Sequence, residues 1–229
     1  MEPTAGILFA FAALIFWGFG DFLIQRSTRK FGNWETLFFI TLFGAIILTP
    51  FVLDDIINLF SFANADLWLL MIGSIVLFGA AMFEFEALKR GKIAVIAPVM
   101  AIEVPVAAIL AFMFINESIT MTQAVIISIL LIGLVLVSLR SRKLTKKNWL
   151  ERGIILALIG STLMGASNFL VGFASRVTNP LITNWFLNVV AVVLCFIYLL
   201  LSNRLKSFFM DIKENPKLVL TVSVLDNLA

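Results

Sequence analysis

The sequence predicts an all-α protein, a polytopic bundle of membrane-crossing helices, and three observations carry that prediction. Of the 229 residues, 61% are hydrophobic and 14% charged, with a mean hydropathy of +1.06. A soluble domain holds roughly 25% charged and 45–50% apolar residues, so a single globular core cannot hide this much apolar side chain. The apolar residues also run in uninterrupted stretches of about 17–25, long enough as helices to cross a hydrocarbon layer near 30 Å thick. Finally, the stretches lack the polar/apolar alternation of barrel strands, and a helix satisfies its own backbone hydrogen bonds in lipid.

Seven complete spans follow in order, at 7–24, 34–53, 67–88, 93–115, 122–139, 153–175 and 181–201. An eighth starts at Leu218 and runs to Ala229, little more than half a bilayer at about 1.5 Å per residue. The first span is expected to be retained rather than cleaved as a signal peptide, because Glu2 makes its N-terminal region acidic and it leads straight into the second. All but one of the 17 Lys and Arg lie in the odd-numbered connections, among them Arg26, Arg29, Lys89, Arg90, Arg140 and Arg204. Only Arg176 lies in an even one. Basic residues are retained on the cytoplasmic side, so the odd connections are expected to face the cytoplasm and the N-terminus the outside of the cytoplasmic membrane. Trp34, Trp68 and Trp149 sit at span edges, where interfacial anchoring is expected.

Composition narrows the chemistry. With no His and a single Cys, Cys195, there is no Cys/His metal set, thiol dyad or disulfide framework, and no metal or cofactor is expected. Nucleic acid is not an expected partner either, since no solvated basic face with accessible aromatics is present.

The chain also repeats itself. Laying Gly6 on Gly153 aligns 6–40 with 153–187 without a gap. Gly18/Gly165, Phe22/Phe169, Arg29/Arg176 and Thr36/Thr183 then coincide, and Asp21 falls on Asn168. Five spans, an odd number, separate the copies, so the second enters the membrane from the opposite face. An inverted repeat of this kind recurs in secondary transporters, with the substrate site near the midplane where the halves meet. The predicted organisation is a first five-helix repeat over 1–140, a basic cytoplasmic linker over 141–152, and an incomplete second repeat over 153–229. Completing an inverted 5+5 arrangement of ten helices would take roughly 60 more residues.

Several stretches carry a family resemblance. They are the opening GILFAFAALIFWGFGDF, the segment ALKRGKIAVIAPVMAIEVPVAAILAFMF from Ala87 to Phe114, and NESITMTQ from Asn116 to Gln123, which leads into LLIGLVLVSLR. In order and spacing these resemble the EamA-type drug/metabolite transporter superfamily. The family's small residue and Gly after helix three, its prolines within helix four, and its Glu-x-x-Thr-x-x-Gln turn before helix five are matched by Ala87, Gly91, Pro98, Pro105, Glu117, Thr120 and Gln123. The resemblance covers the first repeat and about half of the second. It implies a ten-helix carrier of small metabolites, often directed outward and often coupled to an ion gradient.

Candidate site residues follow from the cost of charge in lipid, about 2.5–3.5 kcal/mol at the bilayer centre on insertion scales. Glu103 lies near the middle of the fourth span, bracketed by Pro98 and Pro105, each of which removes a backbone donor and loosens the helix. It is the first candidate for a proton or cation site; a protonated Glu hydrogen-bonded across the bundle is the alternative. Asp21, with Trp17 one turn further in on the same face, is read either as a pathway residue or as a partner of Arg26. Asn168 follows a small-residue stripe, Ala157, Ser161 and Gly165, that favours close packing. Asn184 and Asn188 share a face of the seventh span and either line the pathway or bridge helices, with bridging favoured.

Glu84 and Glu86 are secondary candidates, expected in an interfacial ion cluster with Lys89 and Arg90, and Glu35 is placed at the interface too. Asp226 and Asn227 are expected to reach the site only if their helix continued, and Cys195 to be an inert apolar filler. The expected function is a permease, not an enzyme, with a small polar solute, the bilayer, and a proton or cation as partners. Two alternatives stand beside it: a membrane-embedded enzyme acting on a lipid-linked substrate through Glu84, Glu86, Lys89 and Arg90, and a non-transporting membrane subunit.

Overall fold

The computed structural model describes residues 3–59, 64–118, 120–144 and 148–228, leaving aside the side chains of 3–7, 9–10, 58, 64, 134–135, 137–144 and 148–152. Among the described residues every element is helical: α1 (Pro3–Lys30), α2 (Asn33–Leu48), α3 (Leu53–Asn58), α4 (Asn64–Arg90), α5 (Ile93–Met100), α6 (Glu103–Ile115), α7 (Met121–Leu144), α8 (Asn148–Val177), α9 (Pro180–Leu201), α10 (Leu205–Glu214) and α11 (Pro216–Leu228). Five predicted spans are helices long and apolar enough to cross a bilayer: the second, third, fourth, sixth and seventh. The first and fifth coincide with α1 and α7, parts of which fall outside the described side chains, as do Trp149 and most of the basic linker. The fourth span is divided in two, α5 ending at Met100 and α6 starting at Glu103, as its prolines foreshadow. The short α3 and the amphipathic α10 are additions within the connections.

Sequence sets the helix ends. Gly32, before α2, adopts φ +114, a conformation open to glycine, and a Cβ there would collide with the Glu35 carboxylate. At the matching position before α9, the Asn179 side chain accepts from Leu181 N at 2.9 Å, with Pro180 in the first turn. The family-like Thr120 and Gln123 form a capping box at the start of α7: Thr120 N donates to Gln123 Oε1 at 2.8 Å and Gln123 N to Thr120 Oγ1 at 3.3 Å.

The exposed surface is far more apolar than that of a water-soluble protein. Ser27, Thr28, Thr36, Ser161, Ser167 and Thr183 have no exposed surface, whereas Leu8, Phe11, Ile129 and Phe114 each leave more than 60% of theirs uncovered. Contiguous exposed apolar side chains around a polar-dotted interior fit a protein whose solvent is hydrocarbon.

Part of the packing matches the sequence alignment of the two copies, while the α1–α4 and α2–α4 contacts have no comparable counterpart on α11. The aligned helices are α1 with α8, α2 with α9, and α4 with α11. Under that exchange the α4–α8 contact becomes α11–α1, α4–α9 becomes α11–α2, and α2–α9 maps onto itself; all of these pairs pack together. The two helix–helix turns agree in hydrogen bonding. Phe31 N donates to Ser27 O and Thr36 N to Gly32 O, while Thr178 N donates to Ala174 O and Thr183 N to Asn179 O at the aligned positions. Thr36 and Thr183 each share a hydrogen bond with a hydroxyl across their own turn, Ser27 at 2.9 Å and Thr178 at 2.8 Å.

Candidate substrate cleft

A cleft of about 420 Å³ lies between α1, α2, α4, α9 and α11. Trp17 lines it from α1, Asn184 and Asn188 from α9, and Asp226 from α11, which brings together three leading candidates and one secondary one. The expectation that Asp226 needs a longer helix is corrected: α11 packs on α1 and α2 and delivers the carboxylate as it stands. Asn227 lines the wall beside Asp226, and Thr41, Ser74 and Phe78, also in the wall, were not singled out from the sequence as pathway residues. A signal was available, because Thr41 aligns with Asn188 and Leu37, also in the wall, with Asn184.

The two asparagines of α9 do not bridge helices. Asn184 Nδ2 donates to Pro180 O and Asn188 Nδ2 to Asn184 O, each at 3.0 Å and within α9. Bridging falls instead to α11, where Asn227 Nδ2 reaches Ile40 O at 3.1 Å and Ser223 Oγ reaches Phe39 O at 3.3 Å. Gly44 makes room for this, since a Cβ there would meet both Asn227 and Asn188.

The wall of the cleft ends at Leu37 on the side of the α1–α2 turn. Beyond it the Trp34 ring stacks on Tyr198 at 3.9 Å between centroids, joining α2 to α9. Phe208 of α10 sits edge-on against Phe38 at 5.0 Å and is itself buried. Glu35, expected at the interface, is 2% exposed and paired with Arg204 at 2.9 Å. Trp34 is half-buried, its ring packed against Tyr198 and Phe78. On the opposite side the wall reaches Leu48 and the exposed Asn184.

Glu103 occupies a second region. It opens α6 just after the helix break and accepts a hydrogen bond from Asn168 Nδ2 at 3.3 Å. The close approach of α8 that permits this depends on the small-residue stripe: a Cβ on Gly165 would lie 2.6 Å from Glu103 O, and one on Gly160 would lie 2.7 Å from Glu84 Cγ. Asn168 lines a separate groove of about 390 Å³ between α6, α7 and α8, closed at one end by the Arg176–Glu117 pair at 3.2 Å.

Glu84 and Glu86 separate. Glu86 joins Arg90 in an ion pair and accepts from Asn33 at 2.6 Å, as an interfacial cluster requires. Glu84, two residues earlier and so on another face, is 5% exposed, and its Oε1 has no hydrogen-bond partner. The interfacial expectation for Glu84 is therefore corrected. Asp21 makes no ion pair with Arg26 among the described residues. Cys195 is fully buried.

Apolar helices of spanning length, an apolar exposed surface and a cleft with polar side chains at mid-helix define a polytopic helical membrane protein. Its residues 4–139 match the EamA-like transporter family. The chain belongs to that family, a family of membrane permeases rather than enzymes. No curated protein and no solved structure matches it.

Proposed function

We propose that this permease is a secondary carrier that moves a small polar metabolite across the cytoplasmic membrane by alternating access. The observation that carries the reading is the cleft itself. It lies between α2 and α9, the pair that the internal repeat maps onto itself, and an aromatic and ionic seal stops it on the side of the basic connections. Basic connections on the cytoplasmic side would make this an outward-open arrangement, with residues 1–140 and 153–229 as the two inverted halves and 141–152 as the linker.

Glu103 is proposed as the coupling site for a proton or cation. With no His in the chain, a proton relay has to run through carboxylates and water. The membrane-enzyme alternative loses support, because Glu84 is buried away from the Glu86–Arg90 pair that it would have joined.

Flux into proteoliposomes tests the reading. The wild-type chain should carry solute with a pH-dependent rate, and Glu103→Gln should flatten that profile while the protein stays folded. An unchanged profile would exclude Glu103 as the coupling group; absence of flux for any solute would favour a non-transporting subunit.

A further inference from the structure

We propose that the solute recognised in the cleft is an organic cation bearing a primary or secondary ammonium group. This rests on reading the cleft as the transport site, and it follows from an inventory of the polar atoms that the wall leaves unspent. Asn184 and Asn188 each donate their amide N–H to a backbone carbonyl, a partner that accepts and cannot donate, so the orientation of each amide is fixed and its Oδ1 faces no donor among the described residues. Thr41 donates its hydroxyl proton to Leu37 O at 2.8 Å and Ser74 to Leu70 O at 2.7 Å, which leaves both oxygens as acceptors. Asn227 donates to Ile40 O and Ser223 O. Asp226, an acceptor when ionised, has no basic partner among the described residues.

The wall thus presents acceptors. Its side-chain N–H groups not committed to a backbone carbonyl are the Trp17 indole and the second amide hydrogens of Asn184 and Asn188, fewer than its acceptors and none of them charged. Among the described residues no Lys or Arg lines it. A carboxylate or phosphate entering this space would lose its water, find only neutral donors in exchange and face the Asp226 carboxylate. An ammonium group has the reverse fit. It donates up to three hydrogen bonds to Asp226 and the amide oxygens and sits favourably against the faces of Trp17 and Phe78, which also line the cleft. The interior has the same sign: among the described residues Glu84 is 5% exposed and no Lys or Arg is buried.

The test compares three probes of similar size and shape that differ in charge: phenethylamine, phenylalanine and 3-phenylpropanoate. Binding is read as thermal stabilisation and quenching of Trp fluorescence in the purified full chain, and transport as counterflow in proteoliposomes. Phenethylamine should bind at least 10-fold more tightly than 3-phenylpropanoate, and Asp226→Asn should erase at least 10-fold of that preference while Asp226→Glu restores most of it. Asn188→Leu, which removes an acceptor without touching charge, should weaken phenethylamine binding by a smaller factor; if Asp226→Asn does not fold, this variant and the wild-type ranking carry the test. Preference for the anion, or for the zwitterion over the amine, would overturn the inference and leave the carrier reading intact. Tight amine binding without flux of any probe would uphold the inference and contradict the carrier reading.

Discussion

The turns joining α1 to α2 and α8 to α9 share a backbone and differ in chemistry. Matched amides donate to matched carbonyls in both, and a buried threonine at the same aligned position bonds to a hydroxyl of its own turn in each. Around that common frame the side chains diverge. Arg29 reaches the carbonyls of Lys89 and Gly91 at 3.0 and 2.6 Å, whereas its counterpart Arg176 pairs with Glu117 in the exposed α6–α7 connection. Gly32 turns the chain by its positive φ, whereas Asn179 caps the next helix with its side chain.

The same divergence reaches the cleft, where the first copy supplies Leu37 and Thr41 and the second supplies Asn184 and Asn188 at the aligned positions. The alignment pairs the scaffold positions, and asymmetry between the copies sets which side chains line the cleft.

The largest stability effect should separate the two ends of the bundle. Arg204→Ala strands Glu35, 3% exposed at its side chain, and should cost roughly 2–3 kcal/mol, somewhat below a fully buried broken pair because Arg204 is half exposed. Arg176→Ala, at the other end, removes an exposed pair and should cost at most about 1 kcal/mol. Unfolding in detergent measures both, and equal losses would contradict the seal.

Next in size, Gly32→Ala should cost about 2 kcal/mol, from backbone strain and collision with Glu35, against about 1 kcal/mol for the lost cap in Asn179→Ala. Reversal of that order would mean that the turns are not built as described. The smallest effect tests what the copies share: Thr36→Val and Thr183→Val should each cost about 1 kcal/mol and match each other within a few tenths. A large difference would break the equivalence of the two turns.

Much of this fold was legible in the sequence, because lipid imposes span length and backbone satisfaction on every helix. The paired Arg29/Arg176 and Thr36/Thr183 disclosed the register, and Pro98 and Pro105 announced the break before Glu103. What stayed hidden depended on which neighbour lay across the bundle. Glu84 and Glu86 look alike along the chain, yet only the packing of Gly160 against Glu84 shows that one is buried while the other pairs with Arg90. Glu35 reads as interfacial until Arg204, far along the chain, is seen to cover it. Thr41 was concealed by its ordinary type, although its alignment with Asn188 pointed to it.

The central claim, a cleft between inverted halves that is sealed on the side of the basic connections, is tested most directly by labelling in intact cells with a membrane-impermeant maleimide. In a Cys195→Ala background, Asn184→Cys in the cleft should react from outside, and Lys206→Cys beyond the seal should react only after permeabilisation. Labelling of Lys206→Cys in intact cells, or of Asn184→Cys only from within, would contradict the account.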